Sequence, residues 1–187
     1  MNKRGMRFNG LYQNCIMKKI FFVASMVLLV SSSFAQKPCS RPEYRQFDFW
    51  VGDWEVFGIK GQKAGNSKIS IILDSCVILE EWTSANAQQG LIYSGKSFNS
   101  YNSATKQWQQ TWTDNTGNTT EYLRGEPGDG KIVYYADKVT GPKGENFMRR
   151  LTFTKIDNSK VRQFGERSDD GGKTWTTEYD LEYRRKN

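Results

Sequence analysis

Short runs of alternating apolar and polar residues, cut at nearly even intervals by turn-forming clusters, dominate the chain from Asp53 to Arg185. The runs fall at 53–59, 67–73, 76–83, 91–101, 107–114, 119–124, 131–137, 147–155, 160–167 and 174–185. Period-2 alternation places successive side chains on opposite faces of a strand. The breaks are turn chemistry: Lys60 to Asn66, Asp74-Ser75, 102–106, 125–130 and Asp157-Asn158-Ser159. Parallel neighbours would need crossovers of a dozen or more residues, and none is present, so the sheet is antiparallel. A sheet of about ten strands has two edges to hide, and closure on itself removes both. The expected fold is therefore all-β, an antiparallel up-and-down barrel, with a two-sheet sandwich as the alternative. An interior of that size can hold one small ligand. Ahead of the first strand, Tyr44, Phe47, Phe49 and Trp50 crowd into a short stretch that reads as a helical turn plugging the barrel.

The first 35 of the 187 residues read as something else. Residues 20–30 form an eleven-residue apolar run, short of the about 20 residues a membrane-spanning helix needs. Lys18-Lys19 precedes it, and Ser33 and Ala35 supply a small-x-small exit. This is the layout of a secretory signal peptide cleaved after Ala35, with Met17 a better start than Met1. A single domain, 36–187, then remains, exported to the periplasm or beyond and with no stable membrane insertion. All five basic residues before Ala35 (Lys3, Arg4, Arg7, Lys18, Lys19) go with the leader, so the rest of the chain carries a net charge of only +2 rather than +7. A nearly neutral domain does not argue for nucleic acid as partner, which calls for a clustered basic face. Cys15 lies in the leader; Cys39 and Cys76 remain, and an exported protein can keep a disulfide. A bridge would close a 38-residue loop and contribute roughly 4 kcal/mol in the chain-entropy model. Two free thiols are the other outcome, because spacing alone does not bring the pair together.

Candidate functional residues follow from face and parity. Glu80 shares a face with Cys76, Ile78 and Trp82, the more apolar set, while Glu81 points the other way. A carboxylate so placed can hold a raised pKa and act as acid or base, or be tied into a buried polar network. Trp108, Gln110 and Trp112 share one face of a later strand, an apolar wall with one orienting amide, as ligand pockets tend to have; a packed core would look the same. Gln163 shares parity with Val161 and is expected inside. The run 168–175, Ser-Asp-Asp-Gly-Gly-Lys-Thr-Trp, resembles the Asp-box of sialidase propellers. Its physical content is a turn in which Asp170 accepts backbone N–H groups, Gly171 and Gly172 take positive φ, and Trp175 packs beneath. A single such copy is structural and implies no glycosidase. The chain contains no histidine, which removes Ser-His-Asp and Cys-His catalysis, ordinary zinc sites and histidine-ligated haem. No cofactor, metal or catalytic constellation is expected.

Several of these motifs occur together in one order: Phe-Asp-Phe-Trp-Val-Gly-Asp-Trp at 47–54, Cys-Val-Ile-Leu-Glu-Glu-Trp at 76–82, the run 93–101, Trp-Gln-Gln-Thr-Trp-Thr-Asp at 108–114, and 170–175. In this they resemble an exported bacterial family known only as a domain of unknown function, with a lipocalin-like (calycin) barrel, over about residues 43–186. Gly52-x-Trp54 resembles the opening of the first strand of such barrels. The resemblance implies that an arginine near the end of the last strand, Arg184 or Arg185, stacks on Trp54 and closes the floor. The nitrobindins are similar in opening and topology and bind haem, but through a histidine that is absent here.

The expected function is that of an exported barrel holding a small hydrophobic or amphipathic molecule against Glu80, Trp82, Trp108, Gln110, Trp112 and Gln163. The alternatives are a hydrolase or isomerase using Glu80 or Glu166, and a packed barrel that acts only through its surface.

Overall fold

The computed structural model describes residues 37–186, and the leader, Met17 and Cys15 lie outside them. Among the described residues ten strands follow in order: β1 (Gly52–Gly58), β2 (Lys63–Ile72), β3 (Val77–Gln88), β4 (Leu91–Asn102), β5 (Gln107–Asp114), β6 (Thr119–Gly128), β7 (Lys131–Thr140), β8 (Asn146–Lys155), β9 (Lys160–Ser168) and β10 (Thr176–Arg185). Each pairs antiparallel with its sequence neighbours, and β1 pairs with β10 through Trp54–Arg185 and Val56–Tyr183, so the sheet closes into a barrel. Closure excludes the sandwich.

Two strands run through segments whose composition reads as turn. β2 begins at Lys63, so Lys-Ala-Gly-Asn is strand and the turn contracts to 59–62. β6 continues through Gly125-Glu-Pro-Gly, leaving only Asp129-Gly130 to turn. Pro127 is tolerated because the last pair with β5 is Trp108–Gly125; beyond it nothing on that side needs an N–H.

Alternate strands turn at opposite ends. One end carries the β2–β3, β4–β5, β6–β7 and β8–β9 turns and is covered by two 3-10 turns, Pro42–Arg45 and Asp48–Trp50. These insert Phe47 and Trp50, both fully buried, into the lumen. Phe47 stacks on Trp50 at 4.9 Å and meets Phe153 and Trp108 edge-on at 5.0 and 5.7 Å. The segment is tied down in three places: a Cys39–Cys76 disulfide to the β2–β3 turn, with Cα atoms 5.0 Å apart, a bond from Arg45 to the Ser75 carbonyl, and a bond from Trp108 Nε1 to Gln46 Oε1 at 3.2 Å. The Trp54 indole is fully buried and donates to the Trp50 carbonyl at 2.8 Å. The Arg185 guanidinium lies 4.3 Å from the centre of that indole and donates to the Val51 carbonyl. Gly52 is the residue this closure requires: its φ of +146° is costly for other residues, and a Cβ there would sit 2.1 Å from Arg185 Nη1.

Candidate functional site

The lumen is layered. Nearest the plug is an apolar floor of Trp54, Ile78, Trp108, Ile132, Phe153 and Val161, each essentially inaccessible. Trp108 belongs here, pinned between Phe47 and Tyr101. It lies four residues from Trp112 on the same strand, about 13 Å at strand rise, so the structure does not place it beside Trp82 and Trp112.

Above the floor lies a belt of buried polar side chains in one connected network. Glu80 Oε1 accepts from Ser67 Oγ at 2.9 Å and lies 3.1 Å from the Tyr183 hydroxyl, while Oε2 accepts from Ser97 Oγ at 3.0 Å. Tyr183 reaches Gln163 Oε1 at 2.7 Å. On the other side, Asn99 Nδ2 donates to Ser97 Oγ at 3.0 Å, and Asn99 Oδ1 accepts from Gln110 Nε2 at 2.8 Å and the Tyr134 hydroxyl at 3.2 Å. Glu80, Gln110 and Gln163, identified separately by parity, are thus joined through Ser97, Asn99 and Tyr183. The glutamate is 2 % exposed. Burial pushes its pKa up to about 7, against the pull of hydrogen bonds from Ser67, Ser97 and Tyr183. Burial likewise holds the Tyr134 and Tyr183 phenols well above their ordinary range.

Toward the unplugged end the lining changes character. Trp82 and Trp112 face inward, and each lies across a glycine of the preceding strand. A Cβ on Gly65 would meet Trp82 Cζ2 at 2.7 Å, and one on Gly95 would meet Trp112 Cζ2 at 2.3 Å. Tyr179 lies across Gly165 in the same way, with Cζ at 2.4 Å. Without side chains at these glycines the rings can lie close against the wall. Trp82, Trp112 and Tyr179 all keep accessible surface, unlike the aromatics of the floor. Yet burial raises the Tyr179 phenol well above its ordinary pKa.

Polar groups set the tilt of these rings and cross the mouth. Trp112 Nε1 donates to the Tyr93 hydroxyl at 3.2 Å, which donates to Asp114 Oδ2 at 3.0 Å. Burial, with that bond to Asp114, pushes the Tyr93 phenol up to about 12. Arg149 on β8 faces inward and spans the lumen: it makes a two-pronged bond to Glu178 on β10 at 2.8 and 3.0 Å and reaches Thr120 on β6 at 3.5 Å. Tyr122 lies in the same region, buried, its phenol pushed up to about 12 chiefly by that burial.

The remaining singled-out residues lie away from the lumen. Glu166 is on the outer wall in a two-pronged bond with Arg150 at 2.8 Å, and so is not an internal acid. Trp175 packs against the Arg150 guanidinium at 4.4 Å and donates to the Gly172 carbonyl. Asp170 accepts from the backbone of Lys173 and Thr174 and from the Ser168 and Thr174 hydroxyls, and Gly171 and Gly172 have φ of 75° and 88°. Those bonds, led by Thr174, pull the Asp170 carboxyl down to about 2. Arg184 stacks outside on Phe57 at 4.2 Å, leaving the floor to Arg185.

Sequence reasoning missed Ser67, Tyr93, Ser97, Asn99, Tyr122, Arg149, Glu178, Tyr179 and Tyr183. The available signal was parity: Tyr93, Gly95, Ser97, Asn99 and Tyr101 alternate in one register and share a face.

Fold and lining together define a closed, ten-stranded antiparallel β-barrel with a buried aromatic cluster, plugged at one end. The chain matches no protein-family model and no curated protein. Among solved structures it is similar to a redesigned β-barrel, at 14% identity and a TM-score of 0.38, covering 76% of this chain and 96% of the other.

Proposed function

We propose that the protein is an exported small-molecule carrier or receptor whose ligand occupies the unplugged half of the lumen, between the Trp82, Trp112 and Tyr179 rings and the Glu80 belt. One observation carries this reading: Phe47, Trp50, Trp54, Trp108 and Phe153 at the plugged end have essentially no accessible surface, whereas Trp82, Trp112 and Tyr179 in the other half lie against glycines and retain some. A flat aromatic lining over a few convergent polar groups suits an apolar or amphipathic molecule. Export is supported by the Cys39–Cys76 disulfide, a linkage that persists in oxidising compartments. The motif order along 43–186 supports placement with the exported lipocalin-like family of unknown function, and, at greater distance, beside the nitrobindin-type barrels without their haem.

The test is titration of the purified barrel with Nile red, a neutral apolar dye, together with native mass spectrometry of protein drawn from its own host. The reading requires saturable dye fluorescence that is lost in Trp82→Ala and Trp112→Ala. Absence of both dye uptake and a co-purifying mass would defeat it. A second reading, acid–base chemistry by Glu80, draws on the pKa near 7 of that group. It predicts that Glu80→Gln abolishes turnover while sparing affinity for a neutral ligand.

A further inference from the structure

The chemistry of the chamber also bears on the charge of its occupant. Three aromatic rings, Trp82, Trp112 and Tyr179, line it, each seated over a glycine, and an aromatic face carries the negative side of a ring quadrupole. Beneath them, two residues along β3 from Trp82, is the Glu80 carboxylate. A carboxylate offers about four acceptor positions. Ser67 and Tyr183 lie against Oε1, and Ser97 alone donates to Oε2, which leaves Oε2 the less satisfied of the two oxygens. The titratable groups facing Glu80 are the phenols of Tyr183 and Tyr179, both from β10; from β2 and β4 it meets only hydroxyls. No salt bridge to it exists among the described residues. Arg149 and Arg167, on the inward register near the mouth, are already paired, with Glu178 and Asp169 respectively. A buried carboxylate without a cation is costly, and aromatic faces attract positive charge most strongly where water is excluded.

We infer that the chamber takes an organic cation, an amine or quaternary ammonium carried on a flat apolar body, with Glu80 as its counter-ion and the Trp82, Trp112 and Tyr179 rings as its cage. This rests on the proposal that the chamber binds a small molecule at all, and it names the class.

Three probes of similar shape decide it by calorimetry at pH 7: 2-naphthylmethyltrimethylammonium, 2-naphthylmethanol and 2-naphthylacetate. The cation is expected to bind about tenfold more tightly than the alcohol, the scale of a desolvated cation–π contact, and the acetate more weakly than either. Because a cation favours ionised Glu80, its binding releases protons at pH 7 and none at pH 9, where the carboxyl is already ionised; buffers of different ionisation enthalpy count them. Glu80→Gln is expected to keep the alcohol and lose the preference for the cation. Equal affinities for the three probes, tighter binding of the acetate, or cation binding without proton release would overturn the assignment and leave the chamber standing. If none of the three binds, the chamber reading falls and the assignment with it. Should Glu80→Gln fail to fold, probe selectivity and proton release in the unmodified protein still decide between these outcomes.

Discussion

Glu80 is the residue at which stability and the proposed binding pull against each other. Its carboxyl titrates near 7 in the fold and near 4.3 in an unfolded chain. Between those values the folded state holds the extra proton, so stability falls as pH rises through this window. The loss would be on the order of 4 kcal/mol at most. Urea unfolding measured from pH 4.5 to pH 8 should show this downward slope, and Glu80→Gln should flatten it and be the more stable protein at pH 8. A slope unchanged by the substitution would mean that another group titrates. Single residues of the belt were legible wherever a polar side chain shared parity with apolar neighbours, as Glu80 does with Ile78 and Trp82, or Gln163 with Val161. On β4 the usual rule inverts: Ser97 and Asn99 are buried and Phe98 between them is 49 % exposed. Only the tertiary network that satisfies these polar groups explains their burial, and no local pattern carries that information.

At the scale of elements, the alternation that predicted ten strands sufficed for their number and order, and it failed where Gly65 and Gly125 enter β2 and β6. Gly65 and Gly125 look like turn residues because their partners, the Trp82 and Tyr134 rings that occupy the missing side-chain space, lie on neighbouring strands. The plug is the element held least by its own polar bonds. Among the described residues the buried polar atoms without partners, Arg45 Nε, Asp48 Oδ1 and Trp50 Nε1, all belong to it. Its attachment therefore leans on apolar burial and on the disulfide. Replacing Cys39 and Cys76 by serine should lower stability by up to about 4 kcal/mol, and amide exchange should quicken at residues 40–50 before it does so in the strands. Uniform quickening across the barrel would show that the plug is not a separable unit. The β9–β10 hairpin is held differently, by Asp170. That carboxyl, with its pKa lowered to about 2 by the Thr174 and Ser168 bonds, gives its support above the unfolded value near 3.9 and loses it as pH falls through 2. Asp170→Ala should expose the Lys173 and Thr174 amides to fast exchange at neutral pH while leaving the chamber's dye affinity unchanged.

For the whole molecule, closure and function divide the lumen between them. A ten-stranded barrel has more interior than a single aromatic layer can fill, and this chain concentrates its tightest packing at one end. There Phe47, Trp50, Trp54, Phe153 and Tyr183 interlock with centroid separations of 4.4 to 6.2 Å, sealed by Arg185. At the other end Trp82, Trp112 and Tyr179 press outward onto glycines. Two substitutions of comparable size should therefore behave oppositely. Phe153→Ala opens a void in the sealed layer and is expected to cost about 3–5 kcal/mol, with dye affinity in the surviving folded protein nearly unchanged. Trp112→Ala removes a ring that is only partly buried, and should cost less than about 2 kcal/mol while weakening dye binding at least about tenfold. Urea midpoints and dye titrations on the same two variants read both quantities. If Trp112→Ala proved as destabilising as Phe153→Ala, the mouth would be packed core like the floor, and the asymmetry from which the chamber is inferred would not exist.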